Sequence, residues 1–144
     1  MAKVLHSTNC FNTLIRVAED CPAQRGEEPQ PRGGQPTVAV LQFRMISGAP
    51  YKYTSDDVVF ATSSAGRALD AKAAKRERNL ARETFFSRGQ ACMRASPLGK
   101  RFGWGVHADA EGRIAIYAVD SKRYQALARD PDITQTRAMR SKRA

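Results

Sequence analysis

The chain has 144 residues, of which 42% are hydrophobic and 26% are charged, and its formal net charge is +10. This length predicts one domain over residues 1–144, with a core that needs neither disulfides nor a structural metal. The sequence has no apolar run of about 18 residues, which excludes a membrane-spanning helix. Its first residues lack the apolar segment of a secretory signal, and the positive charge favours anionic partners such as nucleic acid.

Three cysteines are present, Cys10, Cys21 and Cys92, and no two of them form a CxxC pair. An odd number without paired spacing is not typical of a disulfide framework. Since no secretory signal is evident, we expect reduced thiols and a cytoplasmic location. The sequence also lacks the ligand spacing of zinc sites and the glycine patterns of nucleotide-binding loops, so we predict no metal and no cofactor.

The N-terminal third of the chain predicts a strand followed by a loop. Residues 11–18 alternate partly, with β-branched side chains on one face, which favours a strand. A helical stripe through Phe11, Leu14 and Ala18 is the alternative. Residues 22–36 contain four prolines and three glycines, which predicts a mobile loop without a core-facing pattern.

Residues 37–47 are apolar nearly all round, which is compatible with a buried helix or a buried strand. A helix is favoured because Thr37 can cap its start and Gly48 can end it. The proline at position 50 then predicts an extended segment over residues 49–53.

A second helix is predicted to begin at residues 54–57, where a hydroxyl can cap the first turn. Asp56 and Asp57 would lie at the positive end of the helix dipole, so we interpret them as dipole partners rather than as a metal site or a proton-sharing pair. A short strand over residues 58–60 is the alternative for the apolar residues that follow.

Residues 67–87 are predicted to form one long basic helix, because alanines and long unbranched side chains dominate the segment. At 100° per residue, Leu69 and Leu80 share one side with Ala73 and Thr84. The other side is cationic and either is solvated or faces an anion; its members are Lys72, Lys75, Arg76, Arg78 and Arg82.

The C-terminal part of the chain predicts a hairpin and a last helix. Residues 105–119 read as two strands joined by a glycine-containing turn at residues 109–112. Residues 122–129 are predicted to form a helix, and residues 133–144 a basic, flexible tail. The fold class we predict is α+β: a small antiparallel sheet with helices packed on one face and one long basic helix.

Several segments resemble a family of small bacterial and fungal proteins that is known only as a domain of unknown function. They are TNCFNTLIRVAEDCP, TVAVLQF, PYKYTSDDVVF, FFSRGQACMRASPLGKRFGWGVHADAEGRIAIYAVDS and the terminal AMRSKR. The resemblance covers nearly the whole chain except the loop and the middle of the basic helix. It implies no activity, ligand or catalytic residue.

A second resemblance covers about 20 residues. The segment RFGWGVHADAEGRIAIYAV is similar to the centre of small frataxin-like and MmcQ/YjbR-like α+β proteins. It implies helices on one face of an antiparallel sheet. By analogy of fold, this resemblance implies iron handling or DNA binding.

The candidate binding site centres on the segment PLGKRFGWGVH, residues 97–107. Its glycines can expose backbone N–H groups to a phosphate, and its aromatic rings can stack on a base. The alternative is that Phe102 and Trp104 are core anchors. Positions 104 and 107 of a regular strand point to opposite faces, so a shared site needs a bend at Gly105. The predicted binding residues are Arg94, Lys100, Arg101, Trp104 and His107.

Three functions remain open. The first is a small non-catalytic binding or accessory protein with a basic, aromatic-lined groove for an anionic ligand or nucleic acid. The second is a small-molecule enzyme that uses His107, Asp56 or Cys92 as acid, base or nucleophile. The third is a structural or protein-interaction module.

Overall fold

A computed structural model of the protein describes residues 5–142. Within that range the chain forms four strands, six α-helices and one 3-10 turn at Met93–Ala95. The strands are β1 (Thr13–Arg16), β2 (Trp104–Ala108), β3 (Ile114–Ala118) and β4 (Thr134–Arg137). The helices are α1 (Val38–Gly48), α2 (Ser55–Ala61), α3 (Ser64–Arg67), α4 (Lys75–Phe86), α5 (Pro97–Lys100) and α6 (Lys122–Arg129).

The four strands form one mixed sheet in the order β3-β2-β1-β4. The β2–β3 hairpin and the β1–β2 pair are antiparallel, whereas β4 runs parallel to β1. The hairpin turns at Gly112, which has a φ of +82°. The glycine-containing turn predicted at residues 109–112 is therefore present. The predicted α+β class with a mostly antiparallel sheet is confirmed.

β4 corrects the prediction of a flexible tail over residues 133–144. The Thr134 N–H donates to the Asn12 carbonyl at 2.8 Å, and the Ala138 N–H donates to the Arg16 carbonyl at 2.7 Å. The strand reads Thr-Gln-Thr-Arg and is largely exposed at the edge of the sheet, so it carries no apolar pattern. Backbone pairing with a strand far away in sequence holds it. Residues 143–144 of the expected tail lie outside the described range.

Helices cover both faces of the sheet, which corrects the expectation of one covered face. On the first face, Ile15 and Val106 belong to a core cluster that also contains Ile46 of α1, Val58 of α2 and Leu98 of α5. On the second face, α6 packs against β1 and β3. Its buried Tyr124 contacts Gly105, and the Tyr124 hydroxyl accepts a hydrogen bond from the Val17 N–H at 3.1 Å. The adjacent residues Leu14 and Ile15 are both buried because each faces a different layer.

The predicted start of α1 is confirmed: the Thr37 hydroxyl accepts a hydrogen bond from the Val40 N–H. α2 also begins as predicted, with Thr54 and Asp57 forming a reciprocal capping box. Residues 49–53 are not extended, because the chain turns there and Tyr51 takes a left-handed φ of +59°.

The long helix predicted over residues 67–87 is shorter than expected. α3 ends at Arg67 and α4 begins only at Lys75. In between, the Asp70 carboxylate accepts the Lys72 N–H at 2.8 Å, and this local turn competes with helical hydrogen bonding. Leu80, predicted on a shared side with Leu69, is 61% exposed. The packing face of α4 is instead its aromatic end, where the Phe85 ring meets both Phe60 of α2 and the neighbouring Phe86 edge-on.

No helix among residues 5–142 combines the length and the apolar character that crossing a membrane requires.

Candidate functional site

The segment 97–107 forms α5, a tight turn and β2. Gly103 permits the turn with a φ of +79°. Trp104 is half-buried, and its ring meets Phe43 of α1 edge-on at 5.3 Å between centroids. Its Nε1–H donates to the Glu27 carbonyl at 2.8 Å, and the ring lies against Gly26. Trp104 is thus an anchor that holds the loop of residues 22–36 on the sheet.

The five predicted binding residues do not share one groove. β2 pairs with β1 and β3 in regular register without a bulge, so Trp104 and His107 lie on opposite faces. Arg94 lies toward the edge strand, where its Nε–H donates to the Arg137 carbonyl at 2.8 Å. Lys100 and Arg101 remain adjacent at the end of α5.

One cleft near α5 combines two arginines with a helix N-terminus, and we call it the cationic cleft. Its volume is about 220 Å³. It is lined by Gln30, Arg32, Thr37, Val38, Ala39, Pro97, Arg101 and Phe102, none of which is acidic. Among residues 5–142, neither Arg32 nor Arg101 forms a salt bridge. Arg101 is one of the five residues that the sequence predicts to bind, and Arg32 is not among them.

Arg32 reaches this cleft because the loop of residues 22–36 contains a small hairpin. Arg32 and Gln35 exchange backbone hydrogen bonds of 3.0 and 2.9 Å. The two residues between them, Gly33 and Gly34, have φ values of +55° and +76°. Two successive glycines with positive φ are the sequence signature of a two-residue hairpin turn. That signal lies in the Arg-Gly-Gly-Gln stretch, but nothing local tells which surface the turn meets.

A second, mainly apolar cleft adjoins the first, and we call it the apolar cleft. Its volume is about 250 Å³, and Val38 and Pro97 line both clefts. Its other lining residues are Gln42, Val59, Thr62, Ser63, Phe85, Gln90, Ala91, Cys92, Ala95 and Ser96.

Three polar side chains of the apolar cleft, those of Gln42, Thr62 and Ser96, form a buried hydrogen-bond network. Gln42 is 5% exposed; its Oε1 accepts from the Ser96 hydroxyl at 2.5 Å, and its Nε2 donates to the Thr62 hydroxyl at 3.3 Å. Thr62 in turn donates to the Val58 carbonyl at 2.8 Å. The network ties α1 to the end of α2 and to the start of α5.

The structure separates the three residues that were candidates for catalysis. Cys92 lines the apolar cleft beneath α1, whereas His107 faces the α6 side of the sheet, so they form no thiol–imidazole pair. Asp56 is buried and accepts hydrogen bonds from Ser7 and Thr8, including the Thr8 N–H at 2.6 Å. Asp56 therefore anchors the N-terminal segment to α2.

Asp57 lies in the first turn of α2, as predicted, and is also the acidic member of its capping box. It accepts the Thr54 N–H at 3.0 Å and pairs with Arg82 of α4 at 2.6 Å. Burial alone would raise the pKa of Asp57, but the Thr54 N–H and the Arg82 guanidinium outweigh it and hold that pKa below its usual value. Among residues 5–142, no group of three or more His, Cys, Asp or Glu side chains can hold a metal ion.

His107 belongs to a polar cluster with two tyrosines. The Tyr51 hydroxyl lies 2.7 Å from His107 Nδ1 and 2.8 Å from the Tyr117 hydroxyl. Burial lowers the pKa of His107, and the positive charge of Arg123 lowers it further. Burial and the hydrogen bond with Tyr117 raise the pKa of Tyr51, so its phenol keeps its proton. A neutral imidazole linked to two hydroxyls can pass a proton along this chain of hydrogen bonds. The sequence offered no signal for Tyr51.

Comparison with known proteins gives one result. Over residues 5–144 the chain matches the model of a family described as a family of unknown function, DUF6157. Neither the curated proteins nor the solved structures contain a match, so frataxin-like or MmcQ/YjbR-like similarity has no support. The chain belongs to the DUF6157 family.

Proposed function

We propose that this protein is a non-catalytic binding protein that holds an anionic ligand in the cationic cleft. The observation that carries the proposal is the convergence of Arg32 and Arg101, from two separate segments, on one cleft without an acidic lining residue. Guanidinium groups bind phosphate and carboxylate in a bidentate geometry, which suits them to such a ligand.

Two further features of the cleft support an anion. The first turn of α1 lies at its wall, with Thr37 as N-cap, and the first N–H groups of a helix have no intrahelical partner. Phe102 adds an aromatic ring, on which a base or another planar group can stack. Of the five residues predicted to bind, Arg101 lines the cleft and Lys100 is its neighbour in α5.

Calorimetric titration with inorganic phosphate and with adenosine monophosphate tests the proposal. We expect Arg101→Gln and Arg32→Gln each to lower the affinity about tenfold or more, since each removes a charge-assisted hydrogen bond. Arg88→Gln is the matched control, because Arg88 is exposed beyond the end of α4 and lines no part of the cleft. Equal affinities for all three variants, or no binding by the wild type, would overturn the proposal.

Nucleic acid is a larger ligand that carries the same phosphate group. The formal charge of +10 favours a polyanion, and a single-stranded oligonucleotide would place one of its phosphates in the cleft. We expect its affinity to fall linearly with salt on a double-logarithmic plot. Arg101→Gln should reduce that slope by about 0.7 if a phosphate contacts this side chain. An affinity insensitive to salt would exclude nucleic acid.

A second candidate function is acid–base chemistry at His107, and the conformation of Tyr51 favours it. A bulky residue with positive φ is an uncommon, strained state that clusters at functional sites. The test is modification with diethyl pyrocarbonate, which reacts with neutral imidazoles, followed by mass mapping. An accessible His107 should react near neutral pH; a ring that stays unmodified while His6 reacts would exclude this function.

A further inference from the structure

The size of the two adjoining clefts bears on what the ligand is. Pockets for small ligands span about 300 to 1,000 Å³. The cationic cleft, at about 220 Å³, and the apolar cleft, at about 250 Å³, each lie below that range. The combined volume of the two clefts falls within that range. Val38 and Pro97 line both clefts, so the clefts lie side by side and a ligand that occupied both would extend past these two side chains.

The chemistry of the lining changes along this path. At one end lie the guanidinium groups of Arg32 and Arg101. At the other end no charged side chain lines the cleft, and the walls come from Val59, Phe85 and Ala91 together with other small or apolar residues. A cationic end that continues into an uncharged, mainly apolar end is complementary to a molecule with one anionic head and one apolar body.

The apolar cleft is also held in shape before any ligand arrives. The Gln42 carboxamide bonds to Thr62 at the end of α2 and to Ser96 at the start of α5. These three side chains are 5%, 5% and 4% exposed, so water does not compete strongly for their hydrogen bonds. A pre-formed cleft binds an apolar group without the entropic cost of ordering its walls.

From these observations we infer that the ligand is an amphipathic anion, with a phosphate or carboxylate head at Arg32 and Arg101 and an apolar chain in the apolar cleft. This inference rests on the proposed function and adds the class of the ligand. The head supplies the electrostatic attraction, and the chain supplies the discrimination between one anion and another.

A homologous series separates the two claims. Methyl, butyl and hexyl phosphate are titrated into the wild-type protein by calorimetry. Binding of methyl phosphate tests the cationic cleft alone. We expect affinity to rise about fourfold for each methylene that becomes buried, as the transfer free energy of about 0.8 kcal/mol per methylene requires. Equal affinities of methyl and hexyl phosphate would overturn the inference and leave anion binding intact; no binding by any member would overturn both.

A variant that fills the apolar cleft gives a second readout. Ala91→Trp adds a large ring at an exposed lining position and should abolish the gain of hexyl over methyl phosphate while leaving methyl phosphate unaffected. Ala110→Trp at the exposed hairpin turn is the matched control and should retain the gain. If hexyl phosphate still binds Ala91→Trp more tightly than methyl phosphate does, the alkyl chain lies elsewhere and the inference is overturned.

The thiol of Cys92 offers a measurement on the unmutated chain, which matters if Ala91→Trp fails to fold. Cys92 lines the apolar cleft, whereas Cys10 and Cys21 do not. Saturating hexyl phosphate should slow alkylation of Cys92 by iodoacetamide several-fold, and methyl phosphate should not. Equal protection by both compounds, or by neither, would contradict occupation of this cleft by the chain.

Discussion

At the scale of single residues, the environment of His107 determines when it can carry a charge. Its Nδ1 lies within hydrogen-bond distance of Tyr51, and burial and Arg123 lower its pKa, although Asp109 and Asp130 act in the opposite direction. A lowered pKa means that the neutral ring is the form that the fold favours. The protein therefore resists protonation of this side chain.

This environment predicts a pH dependence of stability. The unfolded chain binds a proton at His107 near pH 6.5, whereas the folded chain binds it only at lower pH. The free energy of unfolding should therefore fall as the pH drops below about 6.5, until the folded-state pKa is passed. Urea denaturation at about pH 7.5 and about pH 5 should show a larger fall for the wild type than for His107→Gln. His6→Gln is the control and should keep the wild-type fall; identical pH dependence in His107→Gln would contradict the prediction.

At the scale of helices and strands, caps account for where α2 begins and how it meets α4. The Thr54 hydroxyl accepts a hydrogen bond from the Asp57 N–H. The Asp57 carboxylate accepts hydrogen bonds from the Thr54 N–H and from the Arg82 guanidinium. One capping box thus orients the carboxylate that joins two helices. Asp56, one residue earlier in the same turn, accepts the Thr8 N–H of the N-terminal segment.

Thr54→Ala should lower the free energy of unfolding by about 1 kcal/mol, the usual cost of losing an N-cap hydroxyl. The cost should exceed that of Arg82→Gln, because the ion pair is partly exposed and such pairs contribute little. Thermal or urea unfolding measures both. Thr84→Ala, the same change at an exposed position inside α4, should be close to neutral. A Thr54→Ala protein as stable as Thr84→Ala would show that the cap does not matter.

An element could be predicted from the sequence when the interactions that form it lie within a few residues of it. The starts of α1, α2 and α6 depend on a hydroxyl within three residues of the first turn, so they were predicted correctly. β4 depends on pairing with β1 across most of the chain, and its polar residues carry no pattern. The start of α4 was misplaced because the Asp70 turn overrides high helix propensity.

At the scale of the whole molecule, the candidate site depends on contacts between residues that lie far apart in the sequence. Arg101 was predicted because it lies in a glycine-rich segment with aromatic rings. Arg32 was not, because its place in the cleft depends on how its loop, held to the sheet in part by the bond from Trp104 to Glu27, meets α5. His107 was grouped with Trp104 by proximity in sequence, and the regular register of β2 places them on opposite faces.

The two-sided sheet requires α6 to approach β2 closely, and Gly105 permits this approach. A Cβ at Gly105 would collide with the Tyr124 ring, while Tyr124 is 7% exposed and bonded through its hydroxyl to the Val17 N–H. The ring therefore has little room to move. The absence of a side chain at position 105 is a condition for the second layer of the fold.

Gly105→Ala should therefore lower the free energy of unfolding by about 1 to 3 kcal/mol, the range found for overpacked cores. Gly48→Ala is the matched control, because nothing lies within 4 Å of a Cβ at Gly48, and it should be neutral or slightly stabilising. Urea unfolding of both variants measures the difference. A double-mutant cycle with Tyr124→Ala assigns the cause: removal of the ring should erase most of the cost of Gly105→Ala. If that cost persists without the Tyr124 ring, the strain lies in β2 itself and not in the contact between α6 and the sheet.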